Sequence, residues 1–215
     1  MKIVNPSIEI LTDTSYETML RKIELAGRVC YKSEDKIRED SAESFIRGII
    51  KRGHESVIEH ASITVLVTCD RGVSHEIVRH RIASYSQEST RYCNYTGEKF
   101  GSHISAIDPK TGFGWDLDNP NDEAKYHIWI KAMEDADRHY QDMIKVGAKP
   151  DEARSVLPNS LKTEIAMTMN LREWRHFIRL RESRAAHHQM REVAQMIGSE
   201  FRVKYPVFFE DLMGE

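Results

Sequence analysis

The chain has 215 residues, the size of one compact domain with a full core, since domains of about 100–200 residues are the common size. Hydrophobic residues make up 40% and charged residues 30%, too apolar and too mixed in sign for a disordered chain and too polar for a membrane protein. The longest strongly apolar runs, such as Ile63 to Val67, fall far short of the roughly 20 residues of a transmembrane helix, and no basic-then-apolar leader is visible, so a soluble, cytoplasmic protein is expected.

Ile8, Ile10 and the residues before them read as a first strand. Thr14, with Glu17 three residues on, has capping-box spacing and opens a helix whose apolar stripe is Tyr16, Met19, Leu20, Ile23, Ala26, Val29 and Cys30. Asp40 and Glu43 start a second helix that Gly53 closes. Ala61 to Cys69 is rich in β-branched residues and reads as a buried strand, and Val73 to about Ile82 as a short helix. Tyr95 to Asn121, rich in Gly, Asp, Asn and Pro, reads as a long surface loop with at most a little strand at its start. Asp122 to Val146 has helical periodicity and should be the longest helix, ending at Gly147. A short helix from Asp151 stops near Pro158, a strand alternates through Ile165, Met167 and Met169, and Asn170 with Glu173 caps the next helix. The last helix spans about Ala185 to Val203. Helices and strands without regular βαβ alternation imply an α+β fold, a single domain over residues 1–215 with a mixed or antiparallel sheet flanked by helices.

The net charge of −3 conceals an asymmetry. Arg71 to Arg91 holds four Arg against two Glu, and Arg172 to Arg191 six Arg against two Glu, which leaves −9 on the rest of the chain. Positive charge concentrated in this way suits a compact anionic ligand better than a general coat for nucleic acid. Three cysteines, Cys30, Cys69 and Cys93, form no C-x-x-C pair and are expected only to pack.

Several common chemistries fail on spacing. Gly112-Phe113-Gly114 lacks the third glycine of a dinucleotide fingerprint and sits in a loop, so any pyrophosphate must be held by arginines, hydroxyls and helix N-termini. His54-Glu55-Ser56-Val57-Ile58-Glu59-His60 lacks the H-E-x-x-H spacing, and adjacent His187 and His188 diverge on a helix, so no metal is expected. Two basic features remain. Arg79-His80-Arg81 is followed, seven residues on, by Ser89-Thr90-Arg91, where an extended backbone would turn Ser89 and Arg91 to one side. On the helix after Asn170, Arg181 lies on the face of Trp174, Phe177 and Ile178. A guanidinium cannot shed its charge there and needs an anionic or strongly accepting partner. The opposite side, Arg172, Arg175, His176 and Arg179, reads as a wet face, and Arg175 and Arg179 are given no special role.

The Arg79-His80-Arg81, Ser89, Arg91 arrangement is R-H-R-x7-S-x-R, the complete motif of the flavin-dependent thymidylate synthases, which this chain resembles. Further landmarks are Gly53 to Ser56 with Glu59-His60, Glu152 to Arg154 with Leu157-Pro158, Asn170 with Arg172, and Leu180-Arg181 followed by Gln189. The likeness covers about Gly53 to Val193. It implies a homotetramer with active sites at subunit interfaces, in which FAD, reduced by NADPH, supplies a hydride and methylenetetrahydrofolate supplies the carbon that turns dUMP into dTMP. It implies FAD contacts from Ser56, Arg79, His80, Arg81, Ile82, Gln87, Asn170, Arg172 and His176. It likewise implies dUMP contacts from Glu76, Ile77, Val78 and Arg79, from Gln87, Glu88, Ser89, Thr90 and Arg91, and from Arg154 and Arg181. Arg181 matches the family's active-site arginine, which fits a fixed cation stabilising charge that develops on the uracil ring. His54 is a further flavin or substrate contact. Gln87 stands where some relatives have Glu, His176 where some have Asn, and the stretch from Glu182 to His188 is about two residues longer than in some relatives, so His187 is given no role.

Two rivals follow from the same residues. One is a flavoprotein of the same fold acting on another pyrimidine nucleotide. The other is a small nucleic-acid-binding module, for which only Tyr85, Tyr92 and Trp174 are near enough to the charge to stack on bases. The acidic remainder and the inward Arg181 favour the enzyme, with small-molecule substrates and neither nucleic acid nor membrane as partner.

Overall fold

The structure is a computed structural model that describes residues 1–212. In chain order the elements are β1 (Lys2–Val4), β2 (Ser7–Ile10), α1 (Tyr16–Tyr31), α2 (Ser41–Lys51), β3 (Ser62–Asp70), α3 (Arg71–Ile77) and β4 (Ser84–Gln87). There follow β5 (Ser105–Ile107), α4 (Lys110–Phe113), α5 (Pro120–Lys145), α6 (Pro150–Ala153), β6 (Lys162–Asn170), α7 (Leu171–Arg181), α8 (His188–Lys204) and α9 (Pro206–Phe209). A four-stranded antiparallel sheet runs β2-β3-β6-β4, and β1 pairs in parallel with β5 as a separate two-stranded sheet. The α+β expectation holds, with both antiparallel and parallel pairs.

Alternation builds the core. Ile63, Val65, Val67 and Cys69 of β3 and Ile165, Met167 and Met169 of β6 turn to one face, where they are essentially unexposed. There they pack with Met19, Leu20 and Ile23 of α1, Trp174, Phe177 and Ile178 of α7, and Val193, Ile197 and Phe201 of α8. A second cluster, around Tyr95, Ile104, Tyr140 and Leu161, seats the long α5. No helix among the described residues is long and apolar enough to cross a membrane.

Several expectations need correction. The first strand is two strands in different sheets. The cap of α1 is Ser15, whose Oγ accepts from the backbone N–H of Thr18, so the box spacing from Thr14 is one residue early. Val29 and Cys30 are exposed, and the buried stripe of α1 ends instead on Glu24, Gly27 and Arg28. That stripe stays buried because the Arg28 guanidinium donates to Glu24 Oε1 at 2.8 and 2.7 Å, which satisfies the charge inside. Cys30 therefore does not pack, while Cys69 does. The helix expected from Val73 to Ile82 spans only Arg71–Ile77, opened by Asp70 Oδ1 accepting from Val73 N at 2.6 Å, and β4 follows unforeseen. The supposed loop from Tyr95 to Asn121 contains β5 and α4. There Gly114 (φ +66°) ends α4 in the left-handed region, and Gly112 lets α4 approach α8. The last long helix starts at His188, later than the Ala185 expected, and its continuation α9 is set off by Pro206.

Candidate functional site

The motif arginines sit on the turn between α3 and β4. Arg79 and Arg81 are exposed and make no ion pair among the described residues, whereas His80 between them is only 4% exposed. Its ring packs against Phe177 at 4.9 Å and His176 at 5.5 Å. Tyr85 pins the turn by donating to the carbonyls of His80 (2.6 Å) and Ile77 (2.9 Å). Burial pushes that phenol up to about 12, so it remains a donor.

Arg181 closes α7 and turns inward. Its Nε donates to His80 Nε2 at 3.1 Å, its Nη1 to Glu76 Oε2 at 3.0 Å and its Nη2 to the Glu76 carbonyl at 3.1 Å. The side chain is 15% exposed, and these three acceptors are the partners demanded by its position on the apolar face. Glu76 is shared, its Oε1 lying 3.3 Å from His187 Nδ1. His187 is a residue that sequence spacing left out.

A cleft of about 480 Å³ opens beside this group, lined by Ile82, Asn170, Arg172 and His176 together with Glu55, Glu59, Glu173 and Arg179. Four of the residues expected at the flavin thus share one cavity. Its cations are already paired: Arg172 with Glu59 at 2.7 Å and Arg179 with Glu55 at 3.2 Å. The donor set fits a flavin dinucleotide in kind, since exchangeable guanidinium groups suit a pyrophosphate and the 67%-exposed Ile82 offers an apolar surface to a ring. Ser56 and His54 do not line this cleft. Ser56 is exposed on the 3-10 turn Glu55–His60, and His54 Nδ1 lies 3.2 Å from the Tyr31 hydroxyl.

The other half of the motif extends from the end of β4. Gln87 Nε2 donates to Ser74 Oγ at 2.9 Å and Thr163 Oγ1 at 3.2 Å, which sets it apart from the cleft. Glu88 accepts from the Tyr95 hydroxyl at 2.7 Å and from Lys162 at 3.1 Å. Burial opposes the charge of Lys162, but hydrogen bonds to Glu164 and Glu88 outweigh it and raise its pKa. Ser89 and Arg91 are not extended as expected: Ser89 Oγ accepts from the backbone N–H of Arg91 at 3.3 Å within a turn. The exposed Arg91 guanidinium lies 5.4 Å over the ring of Tyr92, and Arg154 Nη1 reaches Thr90 Oγ1 at 3.5 Å. Ile77 points into the core with no exposure, so only its backbone could meet a ligand, while Val78 is 41% exposed.

Arg172, His176 and Arg179 are exposed as a wet face would be, but Arg175 is not. It is fully buried, with its guanidinium donating to Asp211, Glu55 and the Phe208 carbonyl. Periodicity could not show this, because what covers that side is the chain's own C-terminal turn. His80, Glu173 and His176 come within 4.8 Å of one another, close enough to hold an ion. The lone pair of His80 Nε2 already accepts from Arg181 and its Nδ1 faces Glu173 at 3.1 Å, so the imidazole has no nitrogen left for a metal.

Residues 11–207 match the family model described as thymidylate synthase complementing protein. Relatives named flavin-dependent thymidylate synthase include one from Pyrococcus abyssi, 37% identical over 164 residues, or 76% of this chain and 64% of the relative. Another, from Geobacter sulfurreducens, is 35% identical over 196 residues, or 88% of this chain and 80% of the relative. The chain thus spans a little under two-thirds of the archaeal relative's length. Among solved structures, a UMP/dUMP methylase, PolB from Streptomyces cacaoi bound with 5-Br dUMP, superposes with a TM-score of 0.80 at 24% identity. That likeness covers 100% of this chain and 98% of the other, and it shows a shared fold.

Proposed function

The chain belongs to the thymidylate synthase complementing protein family, and from that membership we propose that it is a flavin-dependent thymidylate synthase. It converts dUMP to dTMP by reductive methylation, with methylenetetrahydrofolate as carbon donor and NADPH as reductant. Bound FAD supplies the hydride. The observation that carries this reading is contiguity: Arg181 is hydrogen-bonded at once to Glu76, expected at the nucleotide, and to His80, which adjoins the cleft of Asn170, Arg172 and His176.

Each side chain has a task that its chemistry suits. Arg172 exchanges Glu59 for the cofactor's pyrophosphate, with the exposed Arg79 and Arg81 as further cations. Arg91 and Arg154 hold the nucleotide's phosphate beside Ser89 and Thr90, and Glu88, steadied by Tyr95 and Lys162, accepts from the nucleoside. Arg181 offers a fixed positive charge in a partly dry setting, where electron density building up on the pyrimidine is worth stabilising. No cysteine nucleophile is needed, in keeping with Cys69 buried and Cys30 and Cys93 in no pair.

Assembly belongs to the same proposal. The single domain acts as a cytoplasmic homotetramer whose sites lie between subunits. The exposed apolar side chains Val78, Ile82 and Tyr92, flanking the exposed motif arginines Arg79, Arg81 and Arg91, support this.

The test is dTMP formation by purified protein with FAD, NADPH, methylenetetrahydrofolate and dUMP omitted in turn. Product only in the complete mixture is expected. A colourless protein that takes up no FAD would overturn the proposal, and turnover of UMP without turnover of dUMP would favour the rival nucleotide reading.

A further inference from the structure

We propose that Glu173 is a positioning residue for Arg181, acting through the imidazole of His80; the reading rests on the role given to Arg181 above. Arginine nitrogens only donate, so the 3.1 Å contact from Arg181 Nε requires His80 Nε2 to be unprotonated. A neutral imidazole then carries its proton on Nδ1, and that N–H meets Glu173 Oε1 at 3.1 Å. The hydrogen bonds run one way, from guanidinium to imidazole to carboxylate.

The alternatives are worse. A proton on Nε2 would set donor against donor beside Arg181. A doubly protonated ring would add a second cation where burial already lowers the His80 pKa, with Arg181 and His176 pushing the same way and Glu173 opposing. Glu76 lies beyond Arg181, and the Tyr85 hydroxyl bonds to the His80 carbonyl rather than to its ring. Both members of the relay are shielded, His80 at 4% and Glu173 at 9% exposure.

A second observation concerns the helix start. Asn170 Oδ1 accepts from Glu173 N at 2.9 Å, so one arm of a capping box forms. The returning arm does not, because the Glu173 carboxylate is turned to His80 instead. Glu173 and Arg181 stand at opposite ends of α7, about 12 Å apart along its axis, so they act on each other through the ring between them. Without the carboxylate, His80 is free to change tautomer or rotate, and Arg181 is held by Glu76 alone.

Two measurements test this. Nitrogen-15 spectra of the His80 ring in the purified protein, with or without added FAD, should show the Nδ1–H tautomer in the parent and in Glu173→Gln, whose amide oxygen still accepts, but a mixture in Glu173→Leu. For dTMP formation at saturating FAD, Glu173→Leu should lose about tenfold or more in kcat, and Glu173→Gln, which keeps an acceptor toward His80, should recover most of it. An Nε2–H ring in the parent protein would overturn the proposal, as would equal losses in the two variants or an undiminished kcat in Glu173→Leu. The tautomer needs no turnover, so it decides the relay even if the parent makes no dTMP and the functional assignment falls.

Discussion

Arg175 and Asp211 face each other through two parallel hydrogen bonds, Nη1 to Oδ1 and Nη2 to Oδ2, each 2.6 Å long. The arginine belongs to the middle of α7 and the aspartate follows α9, so the pair fastens the C-terminal turn over the sheet's helical layer. Its third partner, Glu55, lines the cleft. Removing Asp211 leaves a fully buried guanidinium short of acceptors, and Asp211→Ala is expected to cost about 1.5–3 kcal/mol, the scale of a hydrogen bond to a charged group. A lowered urea midpoint with an unchanged slope checks it; a midpoint within error of the parent would contradict it.

The same pair sets a pH dependence. Burial tends to raise the Asp211 pKa, but the hydrogen bonds and charge of Arg175 outweigh it and hold the carboxyl below its ordinary value. A depressed folded-state pKa stabilises the fold fully above the unfolded value of about 4 and loses that stabilisation as pH falls through the folded value. The stability gap between the parent and Asp211→Asn should therefore be constant near neutrality and narrow below about pH 4. Parallel unfolding curves down to pH 2, without convergence, would exclude this linkage.

Under the proposed function, Glu59 competes with the cofactor for the Arg172 guanidinium. The Arg172–Glu59 pair is about half exposed, at 52% and 41%, and such surface pairs contribute only about 0–1 kcal/mol. Glu59→Gln should leave thermal stability almost unchanged and tighten FAD binding about two- to fivefold, as the guanidinium is released. Flavin fluorescence titration measures it, and weaker binding would mean that Glu59 itself helps to hold the cofactor.

Legibility from sequence followed periodicity and capping chemistry. The β-branched run of β3, the alternation in β6 and the Asn170 cap of α7 were readable because each depends on a few adjacent residues. Arg181 was readable too, because its apolar neighbours are on its own helix. Arg175 was not: its partners are 120 residues upstream and 36 downstream, and polar residues on a helix face look solvated until the covering segment is known. Glu173 looked like an ordinary capping residue because its real partner, His80, lies 93 residues away. The brief strands β4 and β5 were missed for a related reason, their pairing partners being distant rather than local.

Gly112 marks a close approach. A Cβ there would lie 2.7 Å from Gln189 Cγ and 3.2 Å from Gln189 Cα, and the latter is backbone that cannot swing aside. Gly112→Ala should therefore push α4 off α8 and cost about 1–3 kcal/mol, the usual scale of overpacking, although alanine favours helix. Calorimetry on this variant beside Gly97→Ala, whose Cβ would meet only the Asn94 carbonyl at 3.3 Å, separates the contact from a general effect of adding a methyl. Equal melting temperatures would remove the packing explanation.

Tyr95 holds Glu88 from behind, with its hydroxyl 2.7 Å from Oε1 while Lys162 takes Oε2 at 3.1 Å. Burial is the main influence on the phenol and, with the Glu88 charge, pushes its pKa up, so the proton stays on Tyr95 and is donated to Glu88. In Tyr95→Phe the ring still packs against Tyr140 and Phe100, but Glu88 keeps only Lys162 and can swing. If Glu88 binds the nucleoside equally before and during reaction, the loss falls on KM for dUMP, by about three- to tenfold, with kcat nearly intact. FAD affinity, which the proposed function assigns to the separate cleft, should not change. A fall in kcat at constant KM would mean that Glu88 acts on the transition state, and weakened FAD binding would mean that the two subsites are less separate than their geometry implies.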